Sequence, residues 1–133
     1  MNLNKIEQFV EVLRTTKEVK TEGELGIPGC RMCALGVYAH YIMGMSAQDI
    51  QTEDDEIIYD RIADDMELPL EYIKRIYHLN DKTEYIDHNP VPKTFGYVAS
   101  CIEDEIVKGN LDLDDLDEYG EIVQIDGYGQ EKD

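Results

Sequence analysis

From Met32 to Met45 the chain reads MCALGVYAHYIMGM, and, tyrosine hydroxyls aside, its only ordinarily chargeable side chain is His40. A helix that is apolar on every side has no face to offer water and is normally buried. The pattern therefore predicts a helix over residues 31–45, with Gly44 near its end, at the centre of the fold.

The flanking segments carry the one-sided patterns that such a centre needs. Asn4-x-x-Glu7 has the form of a capping box, and Ile6, Phe9, Val10 and Leu13 follow at helical spacing, which predicts a helix from about Asn4 to Val19. Gly23, Gly26, Pro28 and Gly29 then make a loop. A third helix is predicted to start at Thr52, with Glu53, Asp54, Asp55 and Glu56 in its first turn and Tyr59, Ile62, Ala63 and Met66 facing inward. Pro69 is placed at the first position of a fourth helix, whose apolar residues are Leu70, Ile73, Ile76, Tyr77 and Leu79, with Asn80-Asp81 as its stop. Residues 82–93, with Pro90 and Pro92, read as an irregular loop; Thr94 caps a fifth helix that ends at Gly109-Asn110.

The expected architecture is all-α. A small single-domain helical bundle over residues 1–109 packs around the buried central helix at about 31–45, and residues 110–133 form an acidic, partly ordered C-terminal tail. That tail is expected to hold one short helix at 111–119 and one short strand at 121–125. A chain of 133 residues that is 42% hydrophobic suffices for one such core. No apolar run approaches the ~18 residues that span a bilayer, and MNLNKIEQFVEVL lacks a signal peptide's apolar stretch, so a cytoplasmic location is expected. Three cysteines, an odd number, suit reduced thiols better than a disulfide framework.

The formal net charge of −18 is unevenly placed: residues 49–71 hold ten acids and one Arg, and residues 110–133 hold nine acids and one Lys. Such a field repels nucleic acid and anionic membrane and attracts basic protein surfaces. No direct nucleic-acid or membrane partner is expected, and the oligomeric state is not legible.

Cys30-x-x-Cys33 invites a metal or redox reading, and neither finds its other parts. Structural zinc needs four ligands, and His40 lies seven residues from Cys33, about 10.5 Å of helix rise. No metal and no cofactor are expected. A redox site needs a strand before the helix, and VKTEGELGIPG does not read as one. The plainer reading is a small-residue seam of Cys33, Gly36, His40 and Gly44 that lets a neighbouring helix approach. A calcium loop would use Asp115, Asp117, Gly120, Ile122 and Asp126, but Tyr119 and Val123 occupy ligand positions of that frame. No Ser-His-Asp order, nucleophile elbow, P-loop or HExxH is present, so an enzyme is not expected.

Cys33-Ala34-Leu35-Gly36-Val37, then Leu79-Asn80-Asp81, then Thr94-Phe95 with Val98-Ala99 and Ile102-Glu103 form a spaced pattern. It resembles a loose set of small uncharacterised bacteriophage and actinobacterial proteins with a C-A/C-L-G-V helix, a later L-N-D and an S/T-F-x-x-I/V-A-x-x-I-E helix. About 20 scattered positions over some 70 residues carry the resemblance, and Ala39 and His40 depart from the Cys and Asp common there. It implies a phage-type origin and a common helical core, and no activity.

Two functional expectations follow. Glu53, Glu56, Asp60, Asp64 and Glu67 recur at steps of three and four, one anion every ~5 Å of helix, within a factor of two of the ~3.4 Å phosphate spacing along a DNA strand. With Asp112, Asp114, Asp115 and Asp117 they would face a basic host protein surface, on a nucleic-acid-binding or defence protein, as an inhibitor or nucleic-acid mimic. The alternative, from another class, is a small-molecule or metal binder with a pocket near His40, Asn80 and Asp81. For Asn80-Asp81 itself a simple helix cap is the plainer role.

Overall fold

The computed structural model describes residues 1–123, and describes the backbone alone at residues 83–86 and 90–92. Helices dominate it: α1 (Leu3–Thr15), α2 (Ala34–Val37, continued by a π-helical turn Tyr38–Ile42), α3 (Ala47–Thr52), α4 (Asp55–Met66), α5 (Leu70–Asp81) and α6 (Phe95–Ile102, continued by a π-helical turn Glu103–Val107). Two antiparallel hairpins interrupt them, β1 (Gly26–Ile27) with β2 (Arg31–Met32), and β3 (Thr83–Ile86) with β4 (Asn89–Pro92). The small helical domain expected from periodicity is thus present. No helix among the described residues is long and apolar enough to cross a membrane.

Packing follows the apolar stripes. Ile6, Phe9, Val10 and Leu13 turn one face of α1 onto α6, α2 and α4. Residues 34–39 are wholly or almost wholly buried, and Tyr38 meets Phe9 edge to face at 5.0 Å between ring centres. The Tyr38 hydroxyl donates to Asp65, whose carboxylate also pairs with Lys5 at 3.2 Å, so one buried aromatic ties α2 to α4 and, through Lys5, to α1. A second polar tie lies between α5 and the turn after α6. There Glu105 accepts from the Tyr72 hydroxyl at 3.0 Å and from Arg75 Nε at 2.9 and 3.0 Å.

Several boundaries differ from the sequence reading, and short-range capping explains most. Asn2, not Asn4, starts α1, because its side chain accepts from the Lys5 amide at 3.2 Å; the helix stops at Thr15 rather than Val19. Residues 31–32 are strand, and the helix begins only at Ala34. Cys33 is extended, and its sulfur caps the Gly36 amide at 3.4 Å. Thr52 does not start a helix. It closes α3, donating to Gln48 O at 2.8 Å, and Asp54 caps α4 instead. Pro69 is the cap of α5 rather than its first residue, and Asn80 and Asp81 lie inside that helix. Residues 82–93 contain a regular hairpin rather than an irregular loop. The fold is therefore mostly helical, not purely so.

The tail is also more particular than expected. Leu113–Asp115 is a single 3₁₀ turn in place of a helix over 111–119, and within the described part of the strand expected at 121–125, residues 121–123, there is one bridge, between Leu116 and Ile122. Residues 124, 125 and Asp126 lie outside the described residues. The glycine seam is corrected too. A Cβ on Gly36 would sit 2.2 Å from Leu25 O, so the close neighbour is an irregular backbone segment, not a helix.

Candidate functional site

Where α4 and α5 run side by side, their outer edges and the tail enclose a cleft of about 410 Å³. On α4, Glu56, Tyr59 and Asp60 share a face because they are three and four residues apart. On α5, Leu70, Lys74, Tyr77 and His78 repeat at the same spacing. Tyr119 and Glu121 close the third side from the tail. The Tyr59 and Tyr77 rings stand 6.2 Å apart and tilted by 55°, and Tyr119 is 64% exposed. Burial pushes the Tyr59 phenol up; burial and then the nearby Asp81 carboxylate push up that of Tyr77. Both therefore stay neutral, with electron-rich ring faces, at ordinary pH.

The third wall is fastened to α5 by backbone contacts. Lys74 Nζ donates to Glu118 O at 3.0 Å, and His78 Nε2 donates to Tyr119 O at 2.9 Å. Asp117 organises the turn by accepting from the Tyr119 and Glu121 amides, both at 2.9 Å. Gly120 is buried at positive φ, and a Cβ there would lie 2.5 Å from Arg75 N and 2.6 Å from Glu71 O. Only glycine lets the turn lie this close to the helix.

Glu56, Asp60 and Asp64 are exposed on α4, one turn apart. Glu53 and Glu67 flank the helix instead of continuing it: Glu53 pairs with Arg61 at 3.5 Å, and Glu67, with left-handed backbone, pairs with the terminal ammonium at 3.5 Å. Asp112 caps the Asp114 amide at 3.0 Å, Asp114 is exposed, and Asp115 and Asp117 are half-buried. His40 bonds Met45 O through Nδ1 at 2.8 Å and stacks edge-on against Tyr41.

Asn80 is fully buried and Asp81 half-buried. The Asn80 side chain accepts from the Ala34 amide at 2.9 Å and donates to Thr21 O and to Asp81, each at 2.9 Å. Asp81 accepts from the Gly23 amide at 3.3 and 3.2 Å. These groups organise the loop before α2, and neither they nor His40 line the cleft. Among the described residues no group of three or more His, Cys, Asp or Glu side chains is arranged to hold a metal ion.

Sequence reasoning named Glu56 and Asp60 as part of an acidic row and missed the cleft they border. Tyr59 and Tyr77 read as ordinary inward-facing positions, and the tail's place against α5 is a long-range fact. One signal was available: nine tyrosines against two phenylalanines and no tryptophan, an excess of rings that carry a polar end. No family model matches the chain, and no curated protein or solved structure matches it.

Proposed function

We propose that this protein acts by binding, offering the solvent face of α4 to a basic surface on a protein partner as an inhibitor or nucleic-acid mimic. The observation that supports this is the exposed row Glu56, Asp60 and Asp64, spaced about 6 Å along the axis, with Arg61 the only basic residue between Asp55 and Met66. Like charges one turn apart cost the helix a few tenths of a kcal/mol each, a cost that a complementary partner relieves. Glu53 and Glu67 border the row with charge already partly balanced, and Asp112, Asp114, Asp115 and Asp117 extend the same negative field. The resemblance to phage proteins favours a bacteriophage setting, with a nucleic-acid-handling or defence protein in the host cytosol as the partner.

The test is capture from host lysate on the immobilised full chain at low and high salt, beside the variant Glu56→Lys/Asp60→Lys/Asp64→Lys. A basic protein held by the native chain, released by salt and not held by the variant is the expected result. Equal retention by both forms, with the variant shown by its melting curve to be folded, would overturn the proposal.

A further inference from the structure

The cleft between α4, α5 and the tail has a chemistry more specific than acidity. Tyr59, Tyr77 and Tyr119 all line it, with the Tyr59 and Tyr77 rings 6.2 Å apart, and its acids come from two elements, Glu56 and Asp60 from α4 and Glu121 from the tail. One lysine, Lys74, stands against these three acids, and its ammonium is already turned to Glu118 O at 3.0 Å. At about 410 Å³ the cleft falls in the range of small-ligand sites.

An anion is excluded by this charge. A neutral apolar molecule would cover carboxylates without compensating their lost hydration. A cation on an apolar stem meets both requirements, since the acids neutralise its charge and the stem lies against the rings. The layout asks for more than one charge on the occupant. Glu56 and Asp60 are one turn, about 6 Å, apart on α4, close to the span of a three- or four-carbon stem between two nitrogens, and Glu121 adds a third acid from the tail.

We propose that this cleft binds a linear aliphatic polyamine, its methylene stems lying against the tyrosine rings and its ammonium groups meeting Glu56, Asp60 and Glu121. The site is independent of the protein-binding reading, although Glu56 and Asp60 belong to both: a free polyamine needs the rings and the tail wall, whereas a basic protein surface needs the open row that includes Asp64.

The full-length protein, labelled for NMR at tyrosine and backbone, is titrated with spermidine, with 1,8-diaminooctane and with the uncharged 1,8-octanediol, all at constant ionic strength. The expected result is saturable shifts with both amines, largest at Tyr59, Tyr77, Tyr119 and His78, and none with the diol. Tyr119→Leu and Asp60→Asn should each weaken spermidine binding about three- to tenfold, while Tyr119→Phe and Asp64→Asn should leave it unchanged. Gly120→Ala, which displaces the tail wall, should weaken it at least as much as Tyr119→Leu. Native-like spectra of each variant establish that the fold is intact. Shifts spread over both acidic segments and equally sensitive to Asp64→Asn would reduce the effect to general charge attraction and overturn the site, as would binding of the diol or no saturation. None of those results bears on capture of a basic protein by the α4 row.

Discussion

Asn80 shows how much one side chain can hold. It lies in the last turn of α5 with no solvent exposure, and its amide joins the start of α2 to the backbone of Thr21. Its own carbonyl accepts from Lys20, so the irregular segment before α2 is held from both ends of this residue. Replacing it by leucine keeps the branching of the side chain and strands the Ala34 N–H and the Thr21 C=O; each stranded group costs about 1–3 kcal/mol. Asn80→Leu is therefore expected to lower unfolding free energy by about 2–4 kcal/mol in urea titrations. A loss below about 0.5 kcal/mol would mean that water replaces the amide. The sequence located this residue and gave it a cap or ligand role. A helical pattern marks the buried face but does not reveal which distant backbone groups need a partner there.

At the scale of elements, α5 joins three neighbours, packing on α4, α2 and α6. One edge carries the buried Tyr72 and the half-buried Arg75, which meet Glu105 beyond α6; another carries Lys74, Tyr77 and His78, which build the cleft. The Arg75 and Glu105 side chains are only 17% and 11% exposed, so removing Arg75 leaves the Glu105 carboxylate largely buried with no opposite charge, held by the Tyr72 hydroxyl alone. Arg75→Met should cost about 3–5 kcal/mol, and the triple variant Arg75→Met/Glu105→Leu/Tyr72→Phe should recover most of that loss. Equilibrium unfolding of the two variants checks this: if the triple change is no better than the single one, packing and not the stranded carboxylate carries the cost. Apolar periodicity made the stripes of α1, α5 and α6 legible, because it is set by local geometry. The helix starts were less so. Where Thr52, Glu53, Asp54 and Asp55 adjoin, several side chains can each cap, and in the fold Asp54 does so while Thr52 closes α3. The cleft was half legible for a related reason: spacing within α4 aligns Glu56 with Asp60, but only the folded chain brings the tail to them.

For the molecule as a whole, buried acids of the weak kind set a limit at high pH. Burial pushes the Cys33 thiol up to about 12, and burial raises the Tyr72 phenol with help from Glu105. Above about pH 8.5 the unfolded thiol loses its proton while the folded one keeps it. The folded state then binds more protons, so stability falls as pH rises, by about 1.4 kcal/mol per pH unit for Cys33 alone. The phenols join from about pH 10 and steepen the fall. Thermal melts from pH 7 to 11 should show this decline, and Cys33→Ala should flatten its first part; a level profile up to pH 10 would contradict the burial argument.

The Gly120 contact carries a different consequence. Because the tail supplies one wall of the cleft, an occupant touching Tyr119 and Glu121 recognises only molecules whose tail lies on α5. Occupancy and tail attachment are then two readings of one coupled equilibrium, each shifting the other by the same factor. A label on the tail would report what fills the cleft, and a partner that pulled the tail away would empty it.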